Sequence, residues 1–310
     1  MIIPIAMIFA LGFYIKRKKM AFTIFGMMTI GMLFLVIPTI IWEINGNPEI
    51  AKMVIMQATG AMEGKEVRFS PAFSGFWSII TTIISTGSVN AMHDSTMPLS
   101  GMMQMIAMLI NAFYGGCGVG ILNYFIYIII AVFIGGLMVG RTPEFLGHKV
   151  EAREVKIAAL VTLLSAFLIK GGTALAAYYV VHHGNVDWAV NPSAWVNNPG
   201  SHGFSEMFYE FTSSNANNGS GFEGLGDNNI FWNVATGFVL LLGRFIPIIG
   251  PIAIIGLLAK KKYIPETSGT LKTDSLTFGI LTFAIIIIIT ALSYFPPLVL
   301  GPLAEYFGMK

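Results

Sequence analysis

Long apolar stretches dominate this chain, and three of them have the length of a bilayer crossing. A helix needs about 20 apolar residues to cross the hydrocarbon core of a membrane, and residues 22–43, 157–181 and 276–295 meet that requirement. Charged residues make up only 11% of the 310 residues, whereas a soluble domain contains about 25%. A soluble fold could not bury so much apolar surface. The sequence therefore predicts an all-α, polytopic membrane protein.

Three further apolar stretches do not fit one straight crossing. Residues 1–15 are too short and resemble the end of a span. Residues 97–139 would form a helix about 65 Å long if it were continuous, and the run Gly115-Gly-Cys-Gly118 predicts a break within it. Residues 229–259 contain two prolines, which predict an interruption there as well.

Lys and Arg residues are concentrated in alternate connections between these stretches. The connections 16–19, 140–156 and 260–272 hold four each, which together are twelve of the eighteen in the chain. The connections 44–68 and 182–205 hold only three, all of them in the first. Because Lys and Arg accumulate on the cytoplasmic side, we expect the three basic connections to face the cytoplasm. This arrangement requires the glycine-interrupted stretch to cross only once.

Two polar runs interrupt the hydrophobic pattern. Residues 78–90 and 211–222 are rich in Ser, Thr, Asn and Gly, and each precedes a long apolar stretch. Non-helical backbone is tolerated at membrane depth only where protein or a water-filled path shields it from lipid. We therefore interpret both runs as re-entrant loops of a pore. The alternative is that small residues let helices pack closely, which explains a single run better than two in matched positions.

The surroundings of the two polar runs indicate two copies of one unit, over residues 22–139 and 157–259. Each unit has a helix towards the outside, an external loop, a short apolar stretch, the polar run and a long returning helix. Both runs then enter from the same side, whereas inverted repeats place them on opposite sides. The sequence thus predicts two helix–re-entrant pore loop–helix repeats around one axial pore.

The ligands that the polar runs offer to a cation are neutral oxygen atoms. Half-membrane helices over 73–84 and 203–211 would direct their partially negative C-terminal ends at the ion. Gly87 and Gly219 permit the positive φ with which carbonyl oxygens can turn towards an axis. Neither run contains a carboxylate, and Mg²⁺ and Ca²⁺ usually recruit carboxylates. A large monovalent ion is favoured, with a slight preference for potassium over sodium.

Charges inside apolar stretches are costly and usually functional. Arg244 is central in its stretch and is predicted to lie beneath the second polar run, where it would limit cation occupancy. An ion pair or a carbonyl contact that holds helices together is the alternative. Lys170 is equally central, and a functional role and a structural one are equally open. Gly115, Gly116 and Gly118 could obstruct the pathway beneath the ion, or could instead serve close helix packing.

Histidines flank both polar runs. Metal binding at His93, Asp94 or His202 would need further ligands at suitable spacing, and the sequence shows none. We expect these side chains to form hydrogen bonds at the mouths of the loops. An intramembrane enzyme that uses His93 and Asp94 is an alternative. The chain contains no Walker lysine motif and no aspartyl-phosphate loop, so it shows no means of hydrolysing ATP.

Short motifs that occur in order along the chain resemble a known family. They are Glu63-Gly-Lys-Glu-Val-Arg-Phe69, Thr81-Thr82, Ser85-Thr-Gly87, Ala91-Met-His-Asp-Ser95, Gly140-Arg-Thr-Pro-Glu-Phe-Leu-Gly147, His202-Gly-Phe-Ser-Glu206, Asn217-Asn-Gly-Ser220, Gly243-Arg-Phe245 and Leu300-Gly-Pro-Leu-Ala-Glu-Tyr306. Together they resemble the potassium-binding A subunits of bacterial Kdp potassium-transporting ATPases. Members of that family contain four helix–pore-loop–helix units, and the resemblance covers only the C-terminal portion.

The resemblance implies a division of the chain and a role for each polar run. The divisions are 1–21 (the end of a preceding span and a basic loop), 22–156 (the third repeat), 157–272 (the fourth repeat) and 273–310 (a final transmembrane helix and an external C-terminus). The implied selectivity-filter residues are Ser85, Thr86, Gly87 and Ser88 in the third repeat and Asn217, Asn218, Gly219 and Ser220 in the fourth. Gly115 to Gly118 would interrupt the helix below the third filter segment, and Arg244 would lie near the ion path.

The resemblance also implies a function, partners and a location. The chain would bind and translocate potassium. It would be a fragment, or one half of a split subunit, and would supply half of a pseudo-fourfold channel-like fold. A P-type ATPase catalytic subunit would provide the energy, and a single-span C subunit and a small F subunit would complete the complex. The expected location is a bacterial or archaeal plasma membrane, with no organic cofactor, no catalytic residue and no nucleic-acid partner.

The family pattern has three departures in this chain, and the function has alternatives. Thr86 stands where some relatives have cysteine, Ser201 where proline is expected, and Lys170 where an apolar residue is expected. None of them removes a filter glycine. The alternatives to the ATP-driven importer are a subunit of a passive channel-like transporter and an inactive remnant.

Overall fold

The structure is a computed structural model that describes residues 1–140, 142–184, 190–265 and 272–309. Arg141 of the second basic connection, residues 185–189 and 266–271 within two other connections, and Lys310 lie outside the described residues. The elements are α1 (Ile2–Tyr14), α2 (Lys18–Asn45), α3 (Pro48–Lys52), α4 (Pro71–Ile83), α5 (Pro98–Ile110), α6 (Val119–Val139), β1 (Glu144–Phe145), β2 (His148–Lys149), α7 (Ala152–His182), a 3₁₀ turn (Pro192–Trp195), α8 (Ser201–Ala216), α9 (Ile230–Ala259), α10 (Leu276–Leu298), a π-helical turn (Val299–Leu303) and α11 (Ala304–Gly308).

Five helical segments of the described chain are long and apolar enough to cross a membrane. They are Lys18–Lys52, Val119–Met138, Ala152–His182, Ile230–Ala259 and Leu276–Gly308. Their outer faces carry large exposed apolar side chains such as Phe34, Phe167 and Leu292, which lipid can cover. The prediction of a helical, multi-pass membrane protein is confirmed. Among the described residues, the only strands are β1 and β2, two residues each, which pair as an antiparallel hairpin.

The helices form two groups of three, one from each predicted unit. In the first group α2, α4 and α5 all contact one another, and in the second α7, α8 and α9 do the same. Contacts of α5 with α8, and of α6 with α7 and α9, join the groups. A core cluster around Met28, Ile79 and Tyr124 fills the first group, and a cluster around Phe208, Phe211 and Trp232 fills the second.

Local sequence signals set the starts of α4 and α9. The Ser70 hydroxyl accepts a hydrogen bond from the Phe73 amide (3.2 Å) and Pro71 occupies the first helical position, so α4 begins there. The Asn229 side chain caps α9 in the same way through the Trp232 amide (3.1 Å). These fixed starts give α4 and α9 defined positions beside α2 and α7, respectively.

The long apolar stretches behave differently from each other. The expected break in 97–139 is confirmed, because α5 ends at Ile110 and α6 begins after Gly118. The expected interruption of 229–259 is wrong, since α9 runs unbroken through Pro247 and Pro251. Membrane helices tolerate proline where neighbouring groups satisfy the freed carbonyls. Lys170 is exposed on the outer face of α7.

Two of the basic connections contact each other at one end of the bundle. Lys261 Nζ lies 2.8 Å from Glu154 Oε2 and 3.2 Å from Glu151 Oε2, and it donates to the Lys149 carbonyl (2.9 Å). The Ile264 amide donates to the Gly147 carbonyl (2.8 Å). Their contact agrees with the expectation that both lie on the same side of the membrane.

Candidate functional site

The first polar run leaves its helix through a tight turn. The helix α4 ends at Ile83, and Ser85 and Gly87 follow with φ of +51° and +68°. The Thr86 amide donates to the Thr81 carbonyl (3.1 Å), and a hydrogen bond joins the hydroxyls of these two threonines (3.0 Å). The Trp77 indole N–H donates to the Ser88 carbonyl (2.8 Å). These bonds hold the filter candidates against the end of α4.

The second polar run is helical for longer than expected. The helix α8 continues to Ala216, five residues beyond the predicted end at 211. The polar side chains are accommodated within the helix, as when the Thr212 hydroxyl donates to the Phe208 carbonyl (2.7 Å). Asn217 then caps α8 with φ +55°, and Gly219 has φ +97°. Positive φ at Gly87 and Gly219 is confirmed.

The two turns lie directly against each other. The Asn218 side-chain amide donates to the Thr81 carbonyl (2.8 Å), across 137 residues of sequence. A Cβ at Gly87 would overlap the Asn218 carbonyl oxygen, so only glycine permits this approach. Asn218 and Gly87 therefore bring the two sets of filter candidates, Ser85 to Ser88 and Asn217 to Ser220, into contact.

A directed chain of hydrogen bonds supports the second turn. The Ser220 hydroxyl donates to Asn218 Oδ1 (2.6 Å), so the Tyr209 hydroxyl 2.8 Å away must donate to Ser220. His93 Nδ1 lies 2.8 Å from the Tyr209 hydroxyl and consequently carries the proton. His93 and Tyr209 are fully buried. The expectation that His93 forms a hydrogen bond near the loops is confirmed.

A buried ion pair anchors the segment that follows the first turn. Lys65 Nζ lies 2.9 Å from Glu43 Oε2, and neither side chain is exposed. The other carboxylate oxygen of Glu43 accepts a hydrogen bond from the Met97 amide (3.0 Å), and Lys65 pairs with Ala91 through a β-bridge. The end of α2 and the connection that carries Lys65 are thereby tied to both ends of the segment 91–97.

A cluster of charged side chains lies where segment 91–97 meets the start of α8. His202 Nε2 is 2.9 Å from Asp94 Oδ1, and His202 Nδ1 is 2.8 Å from Glu305 Oε1. Burial alone would lower the pKa of His202, but hydrogen bonds to Asp94 and Glu305 and their charges outweigh it and raise that pKa to about 10. Glu206, one helical turn after His202, completes the cluster.

Arg244 lines an open polar groove together with the second turn. The groove is bounded by Asn217, Asn218, Gly219, Glu210 and Arg244, among others. The adjacent Gly243 packs so closely under α8 that a Cβ there would contact the backbone of Asn215. Within the described ranges no ion pair or hydrogen bond engages the Arg244 guanidinium. Arg244 therefore lies beside the second turn.

The glycine run occupies the break between α5 and α6. Gly116 lies beneath the first turn, since a Cβ on it would be 3.7 Å from Ser85 Cβ. Gly115 contacts the backbone of Gly120, and Gly118 lies beside Met7 of α1. The Ser85 hydroxyl donates weakly to Asn111 Oδ1 (3.4 Å) at the start of the break. Of the three glycines, Gly116 is the one placed against a filter candidate.

Comparison with known proteins gives the same family as the motifs. The family model described as the potassium-transporting ATPase A subunit matches residues 1–307. The chain belongs to this family. The A subunit resemblance read from the sequence motifs is thereby confirmed.

Relatives of the A subunit family match the whole of this chain. The chain is similar to potassium-transporting ATPase potassium-binding subunits from Flavobacterium johnsoniae, at 70% identity over 312 residues, and Phocaeicola vulgatus, at 60% over 309 residues. It covers 54% of each relative and is itself covered completely. A subunit of the same name from Geobacillus kaustophilus is 45% identical over 310 residues, which are 99% of this chain and 53% of the relative. The chain spans about half the length of the curated relatives it matches.

Sequence reasoning missed three parts of this site. The Lys65–Glu43 pair, the Tyr209 hydroxyl and the Glu206 carboxylate join residues that are distant in sequence. Of the three, only Glu206 could have been found from the sequence, because it is four residues after His202 and therefore lies on the same helix face.

Proposed function

We propose that this chain supplies two of four pore-loop units to the potassium-binding subunit of an ATP-driven potassium importer. The observation that supports this most directly is the contact between the two polar turns, where Asn218 reaches Thr81 and abuts Gly87. A filter requires loops from different units to meet with their backbone oxygens close together. The printed names of the relatives, which describe potassium-binding subunits of a potassium-transporting ATPase, support the choice of ion and energy source.

The proposed architecture is half of a pseudo-fourfold channel-like fold. The helices α2, α4 and α5 with α6 form the third repeat, and α7, α8 and α9 form the fourth. Asp94 of segment 91–97 contacts Asn198, just before α8, and His202, in the first turn of α8, and these contacts support entry of both half-helices from one side. Ser85 to Ser88 and Asn217 to Ser220 would each contribute one quarter of the filter. Arg244 would restrict cation occupancy below it, and Gly116 would form part of the obstruction.

Two units surround only part of an ion. The groove beside Asn217 and Arg244 is open, which is what a missing neighbour would leave. We infer that two further units, on the same polypeptide or on a separate one, complete the ring. A P-type ATPase catalytic subunit, a single-span C subunit and a small F subunit are the proposed further partners, because the sequence contains no Walker lysine motif and no aspartyl-phosphate loop.

A reconstitution experiment tests the proposal. The chain is placed in liposomes alone, with a polypeptide that carries two further pore-loop units, and with that polypeptide plus the ATPase subunits, and uptake of a radioactive potassium analogue is measured. The proposal predicts uptake that requires ATP and the complete assembly, with none above background for the isolated chain. Selective uptake without ATP by the two halves would instead indicate a passive transporter. No uptake by any combination would indicate an inactive remnant.

A further inference from the structure

The charged cluster between segment 91–97 and the start of α8 has the composition and geometry of a metal site. The ligand atoms of Asp94, His202 and Glu206 all lie within 4.8 Å of one another. His202 and Glu206 are four residues apart on α8 and so project from one helix face. We propose that Asp94, His202 and Glu206 bind one first-row divalent cation of the zinc type, independently of any role in potassium transport.

An unsatisfied buried carboxylate gives the second indication of a ligand. Glu206 is completely buried, and its Oε2 has no hydrogen-bond partner among the described residues. Leaving a buried charged oxygen unpaired is expensive. The other oxygen, Oε1, accepts a hydrogen bond from Asn198 (2.9 Å), which fixes the carboxylate beside Asp94. A bound cation would satisfy the free oxygen and separate two carboxylates that otherwise repel each other.

A glycine keeps the space between the carboxylates clear. A Cβ at Gly224 would collide with Glu206 Oε1 and would lie 2.8 Å from Asp94 Oδ2 and 3.0 Å from Asn198 Nδ2. The two carboxylates and the amide thus converge over one backbone position that carries no side chain. The hollow is continuous with a cavity lined by Asn47, Glu63, Glu305 and Met309, which gives an ion access to it.

The imidazole is already oriented as a zinc ligand. Metal-bound histidines usually donate their other ring N–H to a carboxylate, which fixes the ring, and Glu305 Oε1 lies 2.8 Å from His202 Nδ1. Nε2 then points at Asp94 Oδ1, 2.9 Å away. Zinc bound tetrahedrally at about 2.0–2.1 Å places two ligand atoms about 3.3 Å apart. The pair needs to open by only about 0.4 Å when the ion takes the place of the intervening proton, and water fills the remaining position.

Zinc binding is measured on the full chain in lipid nanodiscs, by competition with a chromophoric chelator and by metal content after dialysis. Adventitious zinc ligands are removed first with His182→Ala, His183→Ala and Cys117→Ser. The proposal predicts one zinc per chain in this background. X-ray absorption of the bound zinc should show a nitrogen and oxygen shell with imidazole scattering.

Matched carboxylate variants identify the site. Glu206→Gln removes a ligand charge and should weaken zinc binding at least about tenfold, since even residues that only support metal ligands cost 10–100-fold. Glu63→Gln removes a charge from the same cavity without touching a ligand and should leave the affinity within about twofold. If Glu206→Gln fails to fold, as judged by thermal unfolding without metal, Asp94→Asn serves as the ligand variant. Absence of stoichiometric zinc, or equal affinities in the Glu63 variant and the ligand variant, would overturn the proposal.

Discussion

Gly87→Ala tests whether the two polar turns depend on each other, and Gly219→Ala is its matched control. Both positions have positive φ, at +68° and +97°, and a side chain in that conformation costs about 1–2 kcal/mol. At Gly87 the added Cβ also overlaps the Asn218 carbonyl oxygen, whereas at Gly219 it meets open space. Overpacking adds about 1–3 kcal/mol. We expect Gly87→Ala to cost about 2–5 kcal/mol and Gly219→Ala only about 1–2 kcal/mol.

The free energy of unfolding of both variants can be measured in mixed micelles by denaturant titration. Trp77 provides a local signal, because its indole N–H donates to the Ser88 carbonyl beside Gly87. Its fluorescence should change in Gly87→Ala under native conditions and stay constant in Gly219→Ala. Equal losses of stability in the two variants would show that Gly87 does not contact the Asn218 carbonyl and that the two turns do not touch.

Three further predictions follow from the contacts around the site. Lys65→Met leaves the buried Glu43 carboxylate unpaired and should cost about 3–5 kcal/mol, and adding Glu43→Gln should restore part of that loss; an additive double variant in unfolding titrations would contradict the pairing. Tyr209→Phe removes the hydroxyl between His93 and Ser220 and should lower the free energy of unfolding by about 1–3 kcal/mol. An unchanged unfolding midpoint would contradict this prediction. Arg244→Gln should change the unfolding free energy by less than about 1 kcal/mol but raise the number of cations bound in the assembled transporter, and unchanged ion stoichiometry would argue against its proposed role.

Hydropathy predicted the membrane spans because bilayer thickness sets their length. The predicted stretches 22–43 and 157–181 fall inside α2 and α7. The break at the glycine run was also predictable. The stretch 97–139 is too long for one continuous crossing helix, and Gly115 to Gly118 are the flexible residues within it. Local composition was sufficient in these cases because each depends on neighbouring residues alone.

Local composition was misleading where polar side chains bond to their own helix. Thr212 is typical of a loop, yet it lies within α8, which extends to Ala216, and its hydroxyl donates to the Phe208 carbonyl. The prolines of α9 were also misleading, because they predict an interruption and α9 continues through both of them. The Lys65–Glu43 pair and the approach of Asn218 to Gly87 could not be predicted. Both depend on how distant elements meet, which no single stretch of sequence specifies.

The proposed function requires oxygen atoms from both polar turns to bind the same potassium ion. Thallium mimics potassium and scatters X-rays strongly, so an anomalous map of the assembled transporter with thallium locates the ion directly. We expect a peak within bonding distance of carbonyl oxygens from both Ser85–Ser88 and Asn217–Ser220. A peak that contacts only one of these turns, or neither, would contradict it.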